Sequence, residues 1–150
     1  MTVNLPLLEA VDLKKYYETQ FGHQMIFDDV SLIINSGEFI SINGPSGSGK
    51  STLLYCLSSL LKPNAGLLKF KGIDLIQSSR AYCESFIAKQ IGFIFQAPNL
   101  LPDFSTTENI ALSLLVQGHT YMHAIERSVN IMKDLDIYQL HNKSVQSLSG

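Results

Sequence analysis

The residues best equipped for chemistry lie in one short run, Gly44-Pro45-Ser46-Gly47-Ser48-Gly49-Lys50-Ser51-Thr52. Gly44, Gly47 and Gly49 can adopt backbone angles closed to other residues and put no Cβ in the way, so successive N–H groups can turn inward as an anion-binding nest. The run fits the P-loop spacing G-x-x-x-x-G-K-[ST]. In that pattern Lys50 sets a cation against the β and γ phosphates of a nucleotide, the Ser51 hydroxyl ligates Mg²⁺, and the Thr52 hydroxyl reaches the α phosphate. A flexible Gly/Ser linker needs no lysine at a fixed place and is not followed at once by a leucine-striped segment. A dinucleotide fingerprint fails as well, because Thr52 stands where G-x-G-x-x-G requires Gly or Ala.

Such a loop works only between a strand and a helix. Phe39, Ile40, Ser41 and Ile42 read as a short buried strand. Leu53, Leu54, Leu57, Leu60 and Leu61 read as one stripe of the helix that follows, whose uncapped first turn adds N–H groups and a positive dipole end. Upstream, the stretches EAVDLKKYYE and QMIFDDVSLIINSGEF predict short strands with alternating apolar residues (Val11 and Leu13; then Ile26, Val30, Leu32 and Ile34), and Asn35-Ser36-Gly37 predicts a hairpin turn. Downstream of a breaker at 62–66, Leu67 to Lys71 predicts a strand, Ser78 to Gln90 a helix, and Ile91 to Phe95 a second buried strand. Ser105 and Glu108 have capping-box spacing ahead of a helix. Met122, Ile125, Val129, Met132 and Leu135 recur at steps of three and four, an amphipathic helix whose stripe belongs to a core. No repeat or low-complexity segment is visible.

Composition bounds the rest. The chain has 150 residues, 45% of them hydrophobic, and a formal net charge of −2, enough for one globular domain and without a basic surface for nucleic acid. Cys56 and Cys83 form no C-x-x-C pair and read as small core residues of a reducing compartment. The first residues have no cationic head before an apolar run, so the reading is cytosolic, and no apolar stretch approaches the eighteen or so residues of a membrane span. His119 and His123 have helical spacing but no third ligand, and with His23 and His141 they read as surface residues.

Asn142-Lys143-Ser144-Val145 lacks the aspartate of N-K-x-D, which removes the guanine-specific reading. Gln96 ends the apolar run IGFIF, and the last three residues are Leu148-Ser149-Gly150. With these in place, the sequence resembles the ATP-binding subunit of ABC transporters over nearly its whole length. GPSGSGKST is similar to the Walker A motif, Gln96 to the Q-loop glutamine, and LSG to the opening of the L-S-G-G-Q signature. IGFIFQAPNLLPDFSTTENIALSLL is similar to the branch containing lipoprotein-release, macrolide-export and cell-division ATPases.

The resemblance implies an α/β fold: a P-loop NTPase core with an N-terminal antiparallel β subdomain and a helical subdomain, the C-terminal part of the core sheet missing. The β subdomain with the Walker A loop and its helix would take 1–76, a helix and strand leading to the Q-loop 77–96, and the helical subdomain 97–150. It implies ATP and Mg²⁺ as ligands. Tyr17, with Tyr16 second, would stack on adenine, and Gln96 would contact Mg²⁺ or the attacking water. Ser149 and Gly150 would cap the γ-phosphate bound to the other subunit of a homodimer. Closure of that dimer would drive membrane-spanning partners at the inner face of the cell membrane, with export or lipid handling favoured by the branch. The Walker B aspartate, the catalytic glutamate and the switch histidine would lie past Gly150, so the expectation for these 150 residues alone is aggregation, from unpaired edges at Ile40 and Ile42, and no ATP hydrolysis. Rival readings are a cell-division-like scaffold without transport, an inactive remnant and, last, a small-molecule kinase, for which 105–141 offers only Arg127 and Lys133 as a basic lid.

Overall fold

The computed structural model describes residues 5–148. The chain divides into two compact units, Met1–Ile87 and Ala88–Gly150. The first holds a four-stranded antiparallel sheet in the order β2-β1-β3-β4, with β1 Leu8–Thr19, β2 Gly22–Ile34, β3 Ala65–Phe70 and β4 Ile73–Asp74. Helix α1 (Lys50–Leu57) follows the glycine loop and α2 (Arg80–Gln90) follows the sheet. Leu8, Ala10, Leu13, Leu53, Cys56, Leu57, Leu68, Leu75 and Phe86 are its buried core. Full burial of Leu13 and Leu68 contributes about 1.5–3 kcal/mol each.

β1 does not keep the strict alternation that Val11 and Leu13 suggested. Its buried positions are Leu8, Ala10, Leu13 and Lys15. The three-residue step falls at a register shift where Asp12 takes φ 49° and its N–H is received by Ser31 Oγ at 2.8 Å. A bulge adds one residue to a strand, and aspartate tolerates the left-handed conformation that this requires. Across it, Lys14 pairs with Asp28 and Asp29 at 2.8 and 2.9 Å, which lowers the Asp28 carboxyl below its ordinary range.

Two predicted strands are not formed. Phe39–Ile42 has no strand structure, and Phe39 is 96% exposed. Ile91–Phe95 has none either; Ile94 is exposed, and the rings of Phe93 and Phe95 lie 4.5 Å apart. An apolar run becomes a strand only where neighbours take its N–H and C=O groups, and all the ladders among the described residues are β1–β2, β1–β3 and β3–β4. The turn at Asn35–Glu38 forms, with Glu38 N–H to Asn35 C=O at 3.3 Å, but leads into irregular chain rather than a second hairpin arm. Helix α1 stops at Leu57 instead of Leu61. Ser59 turns left-handed (φ 62°) and the Leu61 N–H bonds the Tyr55 carbonyl, which closes the helix; Leu54, on its outer face, and Leu60, past its end, are exposed. Cys56 is fully buried and burial pushes its thiol pKa up, whereas Cys83 is half-buried, its thiol near the Leu75 carbonyl.

In the second unit α3 (Thr106–Val116) packs on α4 (Tyr121–Asp134). The capping box forms in both directions: Ser105 Oγ accepts from the Glu108 N–H, and the Glu108 carboxylate accepts from the Ser105 N–H at 2.8 Å and hydroxyl at 2.7 Å. These bonds hold the Glu108 carboxyl below its ordinary range, the hydroxyl contributing most. A depressed folded-state pKa means that this stabilisation is present above the ordinary carboxylate range and is lost as pH falls through the lowered value. Ser105→Ala is therefore expected to cost about 1 kcal/mol at neutral pH and to flatten the acid limb of the stability profile, as read by circular dichroism melts across pH.

The α4 stripe is rotated from its predicted position. Ala124, Ser128 and Met132 are buried, while Met122 is 78% and Leu135 64% exposed. Ala111 of α3 is also fully buried, so small side chains on both helices allow close approach, with the Ser128 hydroxyl satisfied by the Ala124 carbonyl at 2.7 Å.

Candidate functional site

The glycine loop enters α1 through a residue that cannot cap it. Gly49 is the N-cap, with φ 86° and no side-chain bond, and the first intrahelical bond runs from Leu53 N–H to Gly49 C=O at 2.8 Å. The amides of Lys50, Ser51 and Thr52 consequently have no carbonyl one turn back. Gly47 is also left-handed, at φ 79°, and Ser48 N–H closes a turn onto Pro45 C=O at 3.3 Å. Lys50 Nζ folds back over the loop and donates to the carbonyls of Gly44 (2.9 Å) and Pro45 (2.6 Å). Gly44 to Ser48 and Ser51 are exposed, while Gly49, Lys50 and Thr52 are half-buried. A cation, uncapped helix amides and two hydroxyls thus share one exposed turn, the chemistry of an anion site. The exposed Ser51 hydroxyl beside Lys50 is a hard oxygen donor of the kind Mg²⁺ accepts.

The loop rests on β2. A Cβ on Gly49 would stand 2.9 Å from Ile26 Cγ2 and 3.1 Å from the Ile26 carbonyl oxygen. Two residues before Ile26 along β2, Gln24 pairs with Tyr17 of β1. The strand that touches the loop therefore also carries the pairing partner of the predicted stacking residue. Tyr17 is 44% exposed, whereas Tyr16 is half-buried, its ring edge-on to His23 at 4.7 Å. Tyr17 is the more exposed of the two rings.

Gln96 is exposed and belongs to the second unit. Ser149 and Gly150 lie outside the described residues. His119 and His123 are exposed with rings 4.8 Å apart, and no group of three or more metal-ligating side chains occurs among the described residues. No helix among them is long and apolar enough to cross a membrane.

Two features escaped sequence reading. Lys15 is buried beneath Tyr17. Thr106 and Thr107, in the first turn of α3, each use both N–H and hydroxyl on the segment before Leu148: Thr106 bonds the Lys143 carbonyl and Thr107 the His141 carbonyl, at 2.7 to 3.3 Å, and Ser105 bridges Ser144. The available signal was a pair of hydroxyl residues where helix N–H groups have no intrahelical partner.

The family model described as "ABC transporter" matches residues 27–150. The chain belongs to the ABC transporter family. Among curated relatives, the bacitracin export ATP-binding protein BceA of Halalkalibacterium halodurans is 35% identical over 97% of this chain and 58% of its own length. The lipoprotein-releasing system ATP-binding protein LolD of Wigglesworthia glossinidia brevipalpis is 37% identical over 98% of this chain and 64% of its own. The dimeric structure of a bacterial ABC transporter cassette superposes with a TM-score of 0.86 at 29% identity, covering 95% of this chain and 63% of that one. A dimeric post-hydrolysis state of an ATP-binding cassette, bound to ADP and Pi, gives 0.85 with the same identity and coverage. The fold is therefore the α/β cassette of ABC ATPases, and the chain spans about three-fifths of the length of these relatives.

Proposed function

We propose that this chain is the Mg·ATP-binding part of an ABC transporter's ATPase subunit, and that the loop from Gly44 to Thr52 holds the triphosphate. The observation that carries this reading is Lys50 Nζ lying over the Gly44 and Pro45 carbonyls at the mouth of an uncapped helix. Phosphate oxygens offer that amine stronger, charge-assisted bonds than two neutral carbonyls do. Lys50 would move onto the β and γ phosphates, Thr52 would serve the α phosphate, and Tyr17 would stack on adenine. Mg²⁺, held in part by Ser51 and reached by Gln96, would neutralise phosphate charge.

In the whole protein, two such subunits face each other, and Ser149 and Gly150 of one close on the nucleotide of the other. Positioning and charge neutralisation carry hydrolysis, since the transferred phosphoryl spreads its charge over its oxygens. The dimeric cassettes and the names of the relatives support this assignment, and they support a membrane-spanning partner with export or lipoprotein release as the transported class. The subunit would then sit at the inner face of the cell membrane through that partner.

Titration calorimetry of the folded chain with Mg·ATP tests the reading. Saturable binding at one site per chain is expected, and the absence of any binding to folded protein would overturn it. Co-purification of the whole protein with a multi-helix membrane protein tests the transport assignment.

A further inference from the structure

Lys15 is only 7% exposed, although it carries an ammonium group. Burial of such a group is costly unless its donors are used. One goes to the Lys62 carbonyl at 2.9 Å, and the amine stands 5.2 Å from the centroid of the Tyr17 ring, within cation–π range.

The backbone explains why this contact is held. The β1–β3 ladder ends at Lys14↔Ala65, so beyond it β1 has no strand on that side. The turn at 62–64 replaces one: Asn64 N–H donates to the Lys14 carbonyl at 2.8 Å, and the Asn64 side chain accepts the Tyr16 N–H at 3.0 Å. The same turn follows α1, the helix that begins at Lys50. Lys15 thus fastens the aromatic segment to the far end of the helix whose start forms the phosphate loop.

We infer that Lys15 is a positioning residue that fixes the Tyr17 ring, through a buried ammonium on the ring and on the Lys62 carbonyl, as the platform for the base of the bound nucleotide. The inference rests on the adenine-stacking role proposed above for Tyr17. A ring held before binding has less rotamer freedom to lose when a base stacks on it. The contribution belongs to the base, not to the phosphates.

The test compares Mg·ATP with Mg·tripolyphosphate, which has no base, by calorimetry on the whole protein. Lys15→Met is expected to weaken Mg·ATP roughly 5- to 20-fold while leaving Mg·tripolyphosphate unchanged, and Lys15→Arg, which keeps a cation on the ring, is expected to stay within about 2-fold of the parent for both ligands. If Lys15→Met fails to fold, Lys15→Gln keeps a donor for the Lys62 carbonyl without the charge, and the same selective loss is expected. An equal loss for both ligands, or no loss for either, overturns the inference. Tyr17→Ala separates the role of the ring from that of the lysine. If it weakens Mg·ATP while Lys15→Met does not, only the inference fails; if it leaves Mg·ATP affinity unchanged, the stacking role itself fails.

Discussion

Lys50→Ala is expected to weaken Mg·ATP binding by about 100-fold, because an ammonium bonded to phosphate oxygens contributes about 2–3 kcal/mol through its charge-assisted bonds. Calorimetry reads the loss. The same substitution should leave thermal stability nearly unchanged, since among the described residues the amine bonds the carbonyls of Gly44 and Pro45, both exposed loop residues. Melting curves recorded alongside distinguish a missing phosphate ligand from a damaged fold. A matching fall in both quantities would contradict the role assigned here.

The largest expected effect on stability lies elsewhere, at Gly66. Here φ is 101°, and a Cβ would come within 2.6 Å of the Asp12 carbonyl oxygen, 2.7 Å of Leu13 Cα and 2.7 Å of the Val11 carbonyl oxygen. All three atoms are backbone, so no side-chain rotation relieves the clash. They also belong to the bulge in β1, between Val11 and Lys14, where β3 crosses with a shifted register. Gly66→Ala should cost more than about 3 kcal/mol, combining left-handed strain with forced displacement of a central strand. Loss of the cooperative unfolding transition in circular dichroism is the expected result, and a variant that melts like the parent would refute it.

Sequence patterns reached local structure well and strand pairing poorly. The glycine loop was legible because Gly44 to Ser51 is one contiguous pattern whose chemistry is backbone chemistry. The α3 start was legible because Ser105 and Glu108 bond each other across a single turn. Phe39–Ile42 and Ile91–Phe95 misled, since apolar character states a demand for neighbours without saying whether they exist. The α4 face was shifted because Ala124 and Ser128 are weak marks on a hydropathy pattern, although their size lets the helices approach. Lys15 was invisible, as nothing in the letters distinguishes a buried lysine from the half-buried, ion-paired Lys14 beside it.

The threonine pair at the head of α3 has a mechanical consequence. Because Thr106 and Thr107 grip the carbonyls of Lys143 and His141 with both backbone and side chain, the stretch that runs up to Leu148 is yoked to α3 rather than trailing from α4. A tilt of that helix would carry the His141 and Lys143 carbonyls with it.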